Sequence, residues 1–163
     1  MTPPYPVPAD VATELHGTTR PGELEGIDAL LTVDADGVPD VCLLSRTELD
    51  CTADRIRMVV ASSKARRNLA RSDRATLWVW TPTPVYLALI VVRSEDGDEV
   101  TGYEFSITRV LRDELGARPS GRPGMTNESG ITLVPPRFRV ADWLAEAERW
   151  DRSAAMLARL SAD

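Results

Sequence analysis

The chain has 163 residues, 43% of them hydrophobic and 27% charged, an ordinary balance for one globular domain able to bury its own core. Nineteen Lys and Arg against 25 Asp and Glu leave a net charge of −6, which argues against nucleic acid or an anionic membrane as the main partner. Two cysteines, Cys42 and Cys51, are too few for a disulfide framework or a zinc site, so no metal is expected.

The first eight residues carry Pro3, Pro4, Pro6 and Pro8 and read as an extended arm. Ala9 to His16 can form a short helix, with Val11 and Leu15 on one side and Gly17 as its stop. His16 is the only histidine, and a surface position is expected for it. Thr18 to Glu25 reads as a connection. From Ile27 to Val33 the chain alternates, giving a strand with one strongly apolar face made by Ile27, Ala29, Leu31 and Val33. Asp36-Gly37 signals a hairpin turn into a second strand around Val41-Cys42-Leu43-Leu44, where Cys42 suits a small core position. Asp50 to Asp54 reads as a turn, and Arg55 to Ala61 as a third strand.

Ser62 to Arg71 reads as a helix with Ser62 or Ser63 as its N-cap. Ala75 to Thr81 reads as a strand with Trp78 and Trp80 on one face and Leu77 and Val79 on the other. Val85 to Val92, apolar on both faces, is expected to be a fully buried central strand, ending in a turn over Ser94 to Asp98. Val100 to Leu111 alternates clearly. Asp113 to Ser129 has no periodicity and three glycines, which suggests either a flap beside a ligand groove or a plain floppy loop. Ile131 to Val134 reads as one more short strand, and the stripe from Val140 through Trp150 to Leu157 as a closing helix. Strands joined by hairpins, without β-α alternation, predict a mainly β chain. The expected architecture is a six- to seven-stranded antiparallel barrel with a short inserted helix and a C-terminal helix. Residues 1–26 form the arm and short helix, 27–134 the barrel and 135–163 the helical tail.

No nucleotide-binding glycine fingerprint, P-loop or zinc-protease motif occurs. The longest apolar run, eight residues, is too short to span a bilayer, and the N-terminus lacks the layout of a secretion signal. A cytoplasmic protein is expected. The informative segment is Ser62-Ser63-Lys64-Ala65-Arg66-Arg67-Asn68-Leu69. It places cations on the first turns of a helix, where the helix dipole disfavours them unless an anion is bound. A phosphate monoester would accept from the N–H, hydroxyl and ammonium donors together; the alternative is a solvated basic helix face balanced by acidic neighbours elsewhere. Lys64 is also the only lysine among the 19 basic residues.

The order strand, Ser62-Ser63-Lys64, Asn68-Leu69, Ser72-Asp73-Arg74 and the strand Thr76 to Trp80 resembles the split-barrel flavoproteins related to pyridoxamine 5′-phosphate oxidase. Gly37-Val38-Pro39 matches the hairpin that opens the second strand in that family. The resemblance covers Ile27 to about Asp113. It implies a six-stranded antiparallel split barrel that forms a homodimer with FMN in a groove at the subunit interface. It further implies that Lys64 and Ser62 hold the FMN phosphate, helped by Ser63, Arg67 and Asn68. Leu44, Ser45 and Arg46 would lie along the isoalloxazine, with Met58 to Ala61 flanking it. The basic residues of pyridoxamine-phosphate oxidases proper are missing around Asp40-Val41, and Arg137-Phe138-Arg139 leads into a helical tail rather than their arginine-rich ending. Vitamin B6 oxidation is therefore not implied. A flavin-dependent oxidoreductase with an unknown substrate is the leading expectation. A reductase using the deazaflavin F420, and a non-catalytic flavin-binding or ligand-free barrel, are its alternatives. No side chain stands out as a general acid or base.

Overall fold

The computed structural model describes residues 5–15, 24–81, 84–112, 137–139 and 147–162. The segment 113–129, the strand expected at 131–134 and His16 lie outside the described residues. The chain order is α1 (Ala9–Glu14), β1 (Leu24–Val33), β2 (Pro39–Ser45), a 3-10 turn (Arg46–Glu48), β3 (Leu49–Cys51), β4 (Arg55–Val60), α2 (Ser63–Ser72), β5 (Arg74–Val79), β6 (Val85–Asp96), β7 (Thr101–Arg112), β8 (Arg137–Arg139) and α3 (Ala147–Ser161). The strands form one antiparallel sheet in the order β2-β1-β5-β6-β7-β4-β3, with β8 added to the start of β1. The sheet curls around one core without pairing its two edges, β2 and β3. This is the mainly β, antiparallel split barrel that the sequence predicts.

Local chemistry fixes the joints. Asp34 Oδ1 accepts from the N–H groups of Asp36 and Val38, and Gly37 supplies the positive φ of 81° that closes the β1–β2 hairpin. Ser45 caps the 3-10 turn. Its backbone N–H donates to Glu48 Oε2 at 2.9 Å, and its hydroxyl accepts from Thr47 N. Asp73 ends α2 in the left-handed region at φ 53°, and its N–H donates to Leu69 O.

Several boundaries and faces differ from the sequence reading. β1 begins at Leu24, inside the expected connection, because Leu24 to Gly26 pair with β8. Arg137 to Arg139 are therefore a strand of the sheet. β3 occupies part of the expected turn after Asp50. β6 runs on to Asp96, and its turn shifts to Gly97–Val100, where the Gly97 N–H meets Val100 O at 2.8 Å. β6 is central in the sheet but is not buried on both faces. Val85, Leu87 and Leu89 point into the core, while Val92 is exposed. On β7, Tyr103, Phe105 and Ile107 point inward, whereas Leu111 is exposed.

The largest reversal concerns β1. Its strongly apolar face points outward, and the inward residues are Asp28, Leu30 and Thr32. The polar pair is tolerated inside because each member has a partner. Trp80 N–H donates to Asp28 Oδ1 at 3.2 Å, and Asn68 Nδ2 donates to Thr32 Oγ1 at 3.0 Å. The described part of the arm, from Tyr5 on, is laid down rather than free. Tyr5 N–H donates to Ile107 O and Val7 N–H to Ala53 O.

The tail helix α3 belongs to the same body. Met156 and Leu157 join Val59 and Val100 in a second apolar cluster. Gly102 of β7 lies directly beneath them. A Cβ there would come within 2.7 Å of Met156 Cγ and 3.0 Å of Leu160 Cδ1, both on fully buried side chains. Gly102→Ala should therefore lower stability by about 1–3 kcal/mol, as overpacking does. Urea unfolding checks this, and a midpoint equal to wild type would show that α3 yields freely.

Candidate functional site

The junction of β4 and α2 carries the expected phosphate donors. Val60 ends the strand, Ala61 leans on the Val59–Val100 cluster, and Ser62 caps the helix, its Oγ accepting from Ala65 N at 3.2 Å. That bond uses an oxygen lone pair of Ser62 and leaves its O–H as a donor. Ser63 and Arg67 are exposed on the helix, and neither side chain has a hydrogen bond or ion pair among the described residues. Lys64 is about half exposed, with its Nζ 3.1 Å from Asp40 Oδ1 on β2. Asp40 is thus the counter-charge that makes a cation bearable in the first turn. Sequence reasoning missed this pairing, since it joins two residues 24 positions apart across a strand and a helix.

Asn68 is not at this surface. It is buried and its amide is engaged with Thr32, so its role is to seat α2 on β1. Arg71 likewise ties α2 to the end of β1 through Val33 O. Leu44 and Ser45 are fully buried, one in the main core and one in the 3-10 cap. They have no surface to offer a flavin ring within a single chain. Arg46 follows the opposite end of β2 from Asp40. The two are six positions apart along an extended strand, roughly 20 Å at the usual rise, so Arg46 is not gathered with Lys64. Its guanidinium instead serves α1, donating from Nε to Glu14 O at 2.9 Å.

A second feature lies on the outer face of β2-β1-β5. A cavity of about 230 Å³ is lined by Ile27, Asp28, Ala29, Leu31, Val41, Leu43, Trp78 and Trp80. Its wall is an aromatic row. The Trp78 and Trp80 rings stack with centroids 4.6 Å apart, and Tyr86 lies 5.5 Å from Trp78. Val41 and Leu43 are 58% and 50% exposed, and with Val33 and Val92 they extend an apolar surface across the sheet. Beneath this wall Asp28 is buried. Loss of hydration, with Glu14 nearby, pushes its carboxyl up to about 6 against the pull of Trp80 N–H and Arg46. An acid inside a β strand is the only sign of this group that the sequence carries. Among the described residues no three metal-ligating side chains come together, and no helix is long and apolar enough to cross a membrane.

No family model matches the chain, and no curated protein matches it. Solved structures do share its architecture. A variant of HupZ from Group A Streptococcus superposes with a TM-score of 0.50 at 9% identity, covering 64% of this chain and 98% of that one. The fold is an antiparallel split barrel. Other similar structures include an F420 reductase, with a TM-score of 0.44 at 11% identity over 53% of this chain and 89% of that one. The flavin reductase of styrene monooxygenase from Pseudomonas putida S12 gives 0.48 at 9% identity over 56% and 82%.

Proposed function

We propose that this split barrel is an FMN-binding homodimer that serves as a flavin-dependent oxidoreductase on a small molecule. The observation that carries the proposal is the β4–α2 junction. Helix N–H groups, the Ser62 hydroxyl, Ser63, Lys64 and Arg67 offer donors and positive charge at one accessible point. This donor set fits a phosphate monoester. Bound there, FMN would supply hydride transfer, and the protein would supply anchoring, orientation and exclusion of water. Ser62 and Lys64 hold the phosphate, and Ser63 and Arg67 complete its shell. To do so Lys64 must turn from Asp40, which its half-exposed side chain allows.

The second half of the proposal rests on the outer face. The apolar residues from Val41 and Leu43 to Trp78 and Trp80 line one cavity on the sheet rather than lying scattered, as at interaction sites. A second copy of the chain would cover it. Leu43→Glu should therefore convert a dimer of 17.9 kDa chains to a monomer with unchanged circular dichroism. Light scattering at micromolar concentration tests this, and a monomeric wild type would end the dimer proposal.

The cofactor is tested by mass spectrometry of ligand released on denaturing the purified protein, together with titration of FMN, riboflavin and F420. FMN is the expected ligand. F420 binding instead would assign the phosphate grip to the deazaflavin. The Lys64–Asp40 ion pair favours one further reading, a barrel that holds no flavin, because a cation already neutralised has less to offer an anion. Binding of none of the three compounds would establish it.

A further inference from the structure

Asp28 of β1, Glu14 of α1 and Arg46 of the 3-10 turn are charged groups that the proposed flavin site does not use. Asp28 is 6% exposed, and its Oδ1 accepts from Trp80 N–H at the end of β5. Two charged side chains lie around it: the stem of Arg46, from the 3-10 turn, passes over Gly26, two residues along the same face of β1, with its Cδ 3.4 Å from where a Cβ would stand, and Glu14, in the last turn of α1, is paired with the same guanidinium. Its partner across β2 is Leu44, which carries no charge, and Glu48 of the same turn is drawn to the Ser45 N–H. Arg46 is the clasp of α1. Its Nε donates to Glu14 O at 2.9 Å, its Nη2 lies 3.5 Å from Thr13 O, and the same nitrogen is 3.7 Å from Glu14 Oε2.

α1 depends on such a clasp. It has six residues, and its N-cap, Pro8, provides no side-chain hydrogen bond. A helix that short does not hold itself together in water. It is kept by burial of Val11 and Leu15 in the main core, by the bidentate Asp10–Arg112 pair at 2.7 and 3.0 Å, and by Arg46 on its last carbonyls. A cation at a helix C-terminus is favourable in itself.

We infer that Asp28, Glu14 and Arg46 form a proton-operated clasp on α1. With Asp28 neutral, Glu14 and Arg46 cancel in charge and the guanidinium serves the helix alone. With Asp28 ionised, a second negative charge is added near Glu14, and the buried charge gains by any opening that admits water. Release of α1 is such an opening, since it removes the Glu14 side of the enclosure and draws Val11 and Leu15 out of the barrel. The clasp is therefore closed in mild acid and looser at neutral pH. The carboxyl titrates near 6, so the change falls within an accessible range.

Amide hydrogen exchange of α1 tests this without any ligand. The Ala12 and Leu15 amides donate to Pro8 O and Val11 O and report the helix directly. After correction for intrinsic exchange, their protection should fall up to about tenfold between pH 5 and pH 7.5, the opening reaching its midpoint near 6 and levelling off above it. Asp28→Asn should remove the dependence. Glu14→Gln, which deletes the like charge near Asp28, should move the midpoint to lower pH while α1 stays formed. That second variant keeps the inference testable if Asp28→Asn fails to fold. Protection independent of pH in wild type would overturn it. So would the same fall in Asp28→Asn, or an unmoved midpoint in Glu14→Gln.

Discussion

Lys64→Ala should weaken FMN binding ten- to a hundredfold while leaving riboflavin binding unchanged. A hydrogen bond to a charged group contributes about 1.5–3 kcal/mol, and about 1.4 kcal/mol is one decade of affinity. The Asp40 contact adds a sharper form of the same test. In the unliganded protein Asp40 holds Lys64 at 3.1 Å, so a phosphate must displace a carboxylate to reach it. Asp40→Asn should therefore tighten FMN several-fold and leave riboflavin alone. In the double variant the benefit of Asp40→Asn should vanish, because there is no ammonium left to release. Folding stability should move little in either single variant. Lys64 is half exposed, and pairs of that kind contribute roughly 0–1 kcal/mol. Fluorescence titration with both flavins gives the full cycle. Equal loss of FMN and riboflavin in Lys64→Ala would show that this lysine does not read phosphate.

That cycle also marks where sequence reading stops. The strand–cap–helix sequence around Ser62 was legible because capping and periodicity are local properties. Ser62 does accept from the first turn, and α2 runs within one residue of its expected bounds. The antiparallel barrel was legible for the same reason, since hairpins announce themselves through turns such as Asp34–Val38. What was not legible is which side of a strand faces inward. On β1 the more apolar set, Ile27, Ala29, Leu31 and Val33, looked like core. The interior took Asp28, Leu30 and Thr32 instead, because Trp80 N–H and Asn68 Nδ2 satisfy the polar pair from elements far along the chain. The same non-local pairing removed Asn68 from the candidate site. It also separated Leu44, Ser45 and Arg46 from Lys64. Residues expected to share one ligand are divided among the core, a capping motif and a clasp on α1.

The outer apolar surface and the reversed face of β1 are one fact seen from two sides. A strand whose inward positions include a carboxyl and a hydroxyl has placed its apolar residues on the outside. That arrangement leaves an apolar surface open to a partner, which ties the hydrophobic patch to the dimer proposal. Trp78 and Trp80 follow the same logic on β5, where Leu77 and Val79 fill the core and the two rings are left for the exterior.

Asp28 has a consequence for stability as well as for α1. Its carboxyl is raised in the folded chain to about 6, from an ordinary value of 3.8. Below pH ~4 it is protonated in both the folded and the unfolded chain and has no linkage effect. As pH rises from about 4 to about 6, the unfolded chain ionises first, so stability falls. Above the folded value both forms are ionised and the loss levels off. A separation of about two pH units corresponds to about 3 kcal/mol, a large fraction of the 5–15 kcal/mol typical of a domain. Asp10 acts in the opposite sense. The Arg112 guanidinium holds its carboxyl below the usual value, so its contribution is lost only as pH falls below about 4. Between pH 5 and 7 the Asp28 effect therefore stands clear. The wild-type urea midpoint should drop across that interval, and that of Asp28→Asn should stay level. Asn keeps an oxygen to accept from Trp80 N–H, while its amide hydrogens need partners of their own, so the absolute stability of the variant depends on two opposed effects. The slope depends on only one. A variant whose midpoint falls with pH as steeply as wild type would remove Asp28 as the source.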